Sequence, residues 1–225
     1  MTAIQKLKEH GRLDLSLLLT AMSIFCFMLS IVRFIVTDTK VFLFLNWNLF
    51  LAFIPWLTSS IIIINPRFHN RKMIIAIMVL VWMLFFPNSP YILTDLFHLR
   101  LRTSAPIWFD LTLILSFAWT GLMYGFVSLL DIEKTLTKTF NTRITNITIT
   151  LLLFSGSFGI YLGRYLRWNS WDIINEPTNL LYDIGERFTN PLAHPRTWGL
   201  TILMGLLLNI MFWSIKLIRR DYNRA

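Results

Sequence analysis

The sequence predicts an all-α integral membrane protein, a polytopic bundle of six transmembrane helices with both termini in the cytoplasm. Hydrophobic residues make up 55% of the 225 residues, and they form long blocks. Charged residues make up only 15%, against about 25% in soluble domains, which is too few to cover a soluble surface. The blocks also lack the alternation of barrel strands, and only helices or closed barrels satisfy the backbone in lipid.

Six apolar blocks have the roughly 20 residues that a helix needs to cross the hydrocarbon core. They are Leu15–Val36, Val41–Ile64, Met73–Leu93, Pro106–Leu130, Ile144–Tyr161 and Trp198–Leu217. Because they take up most of the chain, we expect one integral membrane domain over residues 1–225. The first block follows several basic residues but has no small-residue cleavage site, which predicts an uncleaved span.

The distribution of Lys and Arg predicts the orientation. With the N-terminus in the cytoplasm, 13 of the 21 Lys and Arg residues fall on the inner side and eight on the outer side. The positive-inside rule then places both termini inside and the protein in the cytoplasmic membrane. The net charge of +9 therefore indicates topology and contact with anionic headgroups, not nucleic-acid binding.

The last outer loop contains an apolar pattern of its own over residues 171–188, interrupted by Pro177. Its members are Ile173, Ile174, Leu180, Leu181, Ile184 and Phe188. Their spacing predicts one or two short amphipathic helices that lie on the outer membrane face.

Polar side chains inside spans are costly, so their positions are informative. They collect at the ends that the topology places outside, whereas the inner halves of the spans are almost wholly apolar. We expect one polar site, open to the outer leaflet and lined by Asn46, Asn48, Asn88, Tyr91, Asp95, His98, Asp110, Arg164 and Arg167.

Two prolines three residues apart, Pro87 and Pro90, predict a break or kink in the third helix. Asn88 and Ser89 can supply partners for the carbonyl groups that the prolines leave free. One interpretation is a broken helix that lines a polar cavity. The other is an ordinary helix end at the membrane interface.

Asp95 and His98 share one helix face because they are three residues apart, and Asp110 begins the next span. Two carboxylates and an imidazole suit either a divalent cation or an acid–base pair, with Asp95 or His98 as the acid or base. The alternative is an interfacial helix in which Asp95 pairs with Arg100 or Arg102. The sequence identifies no cofactor and no definite metal site.

Arg164 and Arg167 are also three residues apart, and Trp168 and Trp171 repeat that spacing. Arginine forks bind phosphate or carboxylate, and tryptophans lie at headgroup level, so this segment suits an anionic lipid headgroup or a lipid-linked substrate. The alternative is a span end with snorkelling arginines and an aromatic belt.

Small residues predict two places of close helix packing. Gly121 and Gly125 have G-x-x-x-G spacing in the fourth span, and Gly159 and Gly163 have it in the fifth. The single cysteine, Cys26, excludes a disulfide within the chain and is expected to be a small buried residue.

The segment from Pro87 to Tyr91, with Thr94, Asp95, Leu96 and His98, resembles a motif of the domain-of-unknown-function family thirteen sixty-one. The segments 46–49 and 163–172 are similar to other recurring stretches of that family. The resemblance implies a bacterial cytoplasmic-membrane protein and supplies no activity.

Three functions remain open. The first is an enzyme or binding protein for a lipid or lipid-linked anionic substrate, in which Arg164 and Arg167 hold the anionic group. The second is a structural or assembly subunit that binds another membrane protein. A small transporter is less favoured, because it needs a polar path to the inside.

Overall fold

The computed structural model describes residues 3–65, 71–100 and 105–222, and within them all regular structure is helical. Ten α-helices occur in chain order: α1 Ala3–Glu9, α2 Leu13–Thr37, α3 Phe44–Ile64, α4 Lys72–Phe85, α5 Asn88–Tyr91, α6 Ile107–Leu136, α7 Thr142–Tyr165, α8 Asp172–Asn175, α9 Pro177–Thr189 and α10 Pro195–Tyr222. Two 3-10 helices, Ile92–His98 and Pro191–Ala193, complete the set.

Six helical segments are long and apolar enough to cross a membrane, which confirms the predicted multi-pass membrane protein. They are Leu13–Thr37, Phe44–Ile64, Met73–His98, Ile107–Leu136, Thr142–Tyr165 and Pro195–Asp221. Many of their large apolar side chains are exposed, as contact with lipid requires. The predicted bounds differ at the ends: α3 begins at Phe44 because residues 41–43 form a turn, and α6 continues past Leu130 through polar residues that a hydropathy pattern excludes.

The third span breaks where the two prolines predict. α4 ends at Phe85, α5 takes up four residues, and the chain then tightens into a seven-residue 3-10 helix. Asn88 Nδ2 donates to the Phe85 carbonyl at 2.9 Å, so Asn88 supplies the partner that was expected of it. Ser89 Oγ donates instead to the Ala52 carbonyl of α3 at 3.2 Å.

The chain divides into two compact units, Met1–Ile132 and Glu133–Ala225, and the boundary falls within α6. In the first unit the core is apolar and includes Cys26, which is a buried free cysteine as predicted. Polar contacts join α2 to α6 along their length, among them Tyr124 with Ser23 at 2.8 Å and Thr120 with Cys26 at 3.3 Å. Their register shows that α2 and α6 run antiparallel.

The second unit contains α7 packed against α10, and the expected loop helices lie between these two helices in the chain. Residues 171–188 form the two short helices α8 and α9, which confirms the prediction of one or two helices there. α7 begins at an N-cap, Asn141, whose side chain accepts a hydrogen bond from the Ile144 N–H at 2.9 Å.

Candidate functional site

In the first unit, the polar residues predicted to form one site separate into three groups. Asp95 lies with Asn48 and His98, Asp110 lies with Arg33, and Asn46 lies with Ser30. Asn88 bonds to the backbone at the break, and Tyr91 is half-buried at the end of α5. The local backbone geometry explains the composition of the first and third groups.

The first group is built around the Asp95 carboxylate, whose residue is 1% exposed. Asn48 Nδ2 on α3 donates to Asp95 Oδ2 at 2.9 Å. His98 Nδ1 lies 3.8 Å from Asp95 Oδ1, and the His98 side chain is 45% exposed. The three residues therefore place a fixed carboxylate behind an imidazole that reaches the surface.

The 3-10 helix produces this pairing. In a 3-10 helix the side chains at i and i+3 eclipse each other, so Asp95 and His98 project in the same direction. Runs longer than three or four residues are uncommon, and this one has seven. The His98 ring also contacts the Phe44 ring, with 5.3 Å between centroids, which limits its rotation. Of the two alternative partners expected for Asp95, Arg102 lies outside the described residues, and Arg100 is exposed and forms no ion pair with Asp95 among the described residues.

Asp110 forms a buried ion pair with Arg33. Arg33 Nε donates to Asp110 Oδ1 at 2.6 Å and Arg33 Nη2 to Oδ2 at 3.3 Å. The side chains are 3% and 1% exposed. Arg33 also bonds to Thr37 and Thr39 and lies over the Phe42 ring. Both carboxylate oxygens of Asp110 are thus engaged by one guanidinium.

Asn46 and Asn48 point to different neighbours because residues two apart on an α-helix are separated by about 200°. Asn46 Nδ2 donates to Ser30 Oγ of α2 at 2.8 Å, whereas Asn48 meets Asp95. Among the described residues, no group of three His, Cys, Asp or Glu side chains is arranged to hold a metal ion. The chemistry that this geometry supports is proton transfer at His98.

Arg164 and Arg167 belong to the second unit, at the end of α7 and just beyond it. Arg164 is half-buried and Arg167 is exposed. Arg167 has a φ of 63°, a left-handed conformation that is typical of Gly or Asn at a helix end and unfavourable for arginine. The Leu162 carbonyl accepts hydrogen bonds from the N–H groups of Leu166 and Trp168, the residues on either side of Arg167. These two bonds hold the backbone of Arg167 in this conformation.

The second unit also contains a charged cluster that the sequence analysis missed. Arg187 on α9 is buried and donates to Asp183 Oδ1 at 3.0 Å and to Glu186 Oε2 at 3.2 Å. Trp168 Nε1 donates to Asp183 Oδ2 at 2.7 Å, and His194 Nε2 lies 3.6 Å from Glu186 Oε1. The sequence does contain an indication of this cluster, because Asp183 and Arg187 have the i, i+4 spacing of a helical ion pair.

The electrostatics keep Arg187 charged. Burial lowers the pKa of Arg187, but the hydrogen bond with Tyr161 and the charges of Asp183 and Glu186 outweigh that effect. The pKa of Arg187 therefore lies above its ordinary value. We infer that this cluster ties α9 to the end of α7.

The expectation that the inner halves of the spans are almost wholly apolar is wrong at one place. Arg12, at the start of α2, pairs with Asp131 of α6 at 2.5 Å and donates to Ser60 Oγ at 3.0 Å. Ser59 Oγ donates to the other Asp131 oxygen at 2.8 Å. The basic residue had been interpreted only as a topology signal, and a lone carboxylate late in the fourth helix gave no hint of its partner.

Comparison with known proteins gives one match. The family model described as "Protein of unknown function (DUF1361)" matches residues 47–211, which include Asn48, the Pro87–Tyr91 segment, Asp95 and His98. No curated protein and no solved structure matches the chain.

Proposed function

The chain belongs to the DUF1361 family of proteins of unknown function, and from its own geometry we propose that it binds and transforms a lipid or lipid-linked anionic substrate at the outer leaflet. The observation that carries the proposal is the buried Asp95 carboxylate, fixed by Asn48 and facing the half-exposed His98. We propose the cytoplasmic membrane of a bacterium as its location.

His98 is the proposed general acid or base. A buried carboxylate near Nδ1 holds the imidazole in one orientation, which leaves Nε2 for the substrate. The distance of 3.8 Å between His98 Nδ1 and Asp95 Oδ1 is longer than a hydrogen bond, and such contacts commonly tighten when substrate binds. The end of a span is where a lipid headgroup meets the protein.

The test is turnover in lipid nanodiscs of phosphatidylglycerol or phosphatidylcholine, with lipid products followed by mass spectrometry. We expect a product from the anionic lipid that falls by about 10²–10⁴-fold in His98→Gln and in Asp95→Asn, the usual contribution of acid–base catalysis. His10→Gln is the control, because His10 is an exposed histidine just after α1.

Thermal unfolding in detergent separates catalysis from structure. His98→Gln should leave the unfolding temperature unchanged, since its side chain is half-exposed and functional groups are rarely placed for stability. Unfolding several degrees lower in both variants, with no turnover by the wild type, would reject the enzyme and favour the assembly role.

Arg164 and Arg167 remain the proposed anion-binding residues of the second unit. The unfavourable backbone of Arg167 supports this, because strain of this kind collects at functional positions. We expect the Arg164→Gln, Arg167→Gln double variant to lose most of its binding to phosphatidylglycerol vesicles. The exposed Arg196, replaced by Gln, is the control; equal losses in both would mean that only net charge matters.

The second candidate is an assembly subunit, and one observation favours it. α9 exposes large apolar side chains although it lies outside the six spans: Leu181 is 68% exposed, Tyr182 72% and Phe188 59%. Such a surface suits either the membrane face or another membrane protein. Purification of a stoichiometric partner that is lost on Leu181→Ser and Tyr182→Ser would support this function.

A further inference from the structure

A cavity of about 370 Å³ lies between α1 and the C-terminal half of α3. Its volume falls in the range of ligand sites, roughly 300–1,000 Å³. The cavity lies in the first unit and shares no residue with the Asp95–His98 group. It adjoins the buried Arg12–Asp131 pair through Ser60, which lines the cavity and accepts a hydrogen bond from Arg12.

The polar atoms of the cavity are mainly hydrogen-bond donors. Lys6 Nζ has Asn65 Oδ1 at 3.5 Å and, among the described residues, no carboxylate within ion-pair distance. Trp56 Nε1 is a buried donor without an acceptor in the part of the chain that the structure describes. A buried donor left without a partner is unfavourable, so an acceptor from a ligand would be favourable there.

The charge around the cavity is positive. Arg12 is 7% exposed and already shares its charge with Asp131, and its Nε, like Trp56 Nε1, has no hydrogen-bond partner among the described residues. Lys6 adds a second cation, whereas Asp131 is the carboxylate that Arg12 and Ser59 already engage. An anionic group is therefore the complement of this site.

The walls of the cavity are apolar. Leu57, Ile61 and Ile64 follow one another along the last turns of α3, and Leu7 of α1 faces the same space. A site with apolar walls and a cation beside Asn65, at the end of α3, matches an amphiphile, because the end of a membrane span is where headgroups lie. A free anion would gain nothing from these walls.

We propose that this cavity binds one anionic phospholipid, with its phosphate at Lys6, an ester carbonyl oxygen at Trp56 and its acyl chain along Leu57, Ile61 and Ile64. By the expected topology the lipid comes from the cytoplasmic leaflet. It would fix α1 against α3 and cover the buried Arg12–Asp131 pair.

Native mass spectrometry of the whole chain in detergent tests the proposal with phosphatidylglycerol, phosphatidylcholine and inorganic phosphate as probes. We expect phosphatidylglycerol to bind about tenfold more tightly than phosphatidylcholine. Lys6→Gln should lose about tenfold in affinity for phosphatidylglycerol, because one charge-assisted hydrogen bond is removed. Lys6→Arg should retain binding.

Lys8→Gln is the matched control, since Lys8 lies on the same short helix but is exposed and does not line the cavity. Equal losses in Lys6→Gln and Lys8→Gln would reject a specific site and leave only attraction of charge. Binding of inorganic phosphate as tight as that of the lipid would reject the lipid as the ligand. The Lys6 and Lys8 variants should unfold at the wild-type temperature without added lipid.

Discussion

Arg33 and Asp110 show how a charged pair is accommodated inside this protein. Removing each charge from water costs several kcal/mol, and the pair recovers this only through good geometry and further hydrogen bonds. Here the guanidinium meets both carboxylate oxygens, and Thr37 and Thr39 accept hydrogen bonds from its Nη1. Such engagement leaves Asp110 poorly placed for acid–base work, and we propose a structural role for it.

Breaking this pair should be costly, whereas replacing it should not. We expect Asp110→Asn to lower the free energy of unfolding by about 3–5 kcal/mol, because the buried Arg33 loses the carboxylate that pairs with it. The Arg33→Met, Asp110→Leu double variant should recover most of that loss. Unfolding in detergent measures the stability of both variants. Asp14→Asn is the control, because Asp14 is an exposed carboxylate on α2, the helix that contains Arg33. A double variant as unstable as the single one would contradict the argument.

Residue spacing predicted some of the site and not the rest. The i, i+3 spacing of Asp95 and His98 was enough to place them together, since either kind of helix aligns those positions. The partners Arg33, Arg12 and Asp131 could not be found that way, because their pairings join residues 77 or more positions apart. Sequence periodicity contains no information about which face of one helix meets another.

At the level of elements, the fourth span provides the surface on which the broken third span packs. A side chain on Gly125 would place its Cβ 2.8 Å from Ser89 Cβ, and one on Gly121 would lie 2.9 Å from the Ser89 carbonyl oxygen. These distances confirm the predicted close packing at Gly121 and Gly125 within the first unit. A further close approach, of Phe154 to Gly205, joins α7 to α10 and was not predicted. The pair Gly159 and Gly163 stays a prediction.

Adding a methyl group at this packing surface should be destabilising. We expect Gly121→Ala and Gly125→Ala each to cost about 1–3 kcal/mol of unfolding free energy, as overpacking does. The Gly121 change should be the worse, because a backbone oxygen cannot move aside as a side chain can. Gly199→Ala is the matched control: it lies within α10 with open space around it and should be neutral or stabilising by up to about 1 kcal/mol. Equal effects at all three glycines would contradict the packing argument.

Helix existence was predictable and helix ends were less so. All six spans follow from apolar blocks, since a segment of about 20 apolar residues has few alternatives in lipid. The break at Pro87 and Pro90 followed from the missing N–H groups of proline. The 3-10 helix after the break did not, because the choice between 3-10 and α geometry depends on how the segment packs against α3 and α6.

On the scale of the molecule, two ion pairs define the thickness of the first unit. Arg12 pairs with Asp131 and Arg33 with Asp110, so the charged positions are 21 residues apart on both α2 and α6. At 1.5 Å per residue this is about 31 Å. The hydrocarbon core is about 30 Å thick. The two pairs therefore lie where the two membrane interfaces are expected. Between the two pairs, neutral side chains form the hydrogen bonds that join α2 to α6.

The orientation of the chain across the membrane can be tested by cysteine labelling. Cys26 is fully buried, so Cys26→Ala gives a background in which single cysteines can be placed at exposed positions. By the positive-inside argument, a membrane-impermeant maleimide added outside intact spheroplasts should label Lys40→Cys and Asn179→Cys, which follow α2 and lie on α9. It should reach Lys8→Cys and Thr139→Cys only after the membrane is opened, because they lie on α1 and between α6 and α7. The reverse pattern would place the Asp95–His98 group in the cytoplasmic leaflet and would contradict the proposal of an outer-leaflet substrate. The cavity at Lys6 would then bind lipid from the outer leaflet.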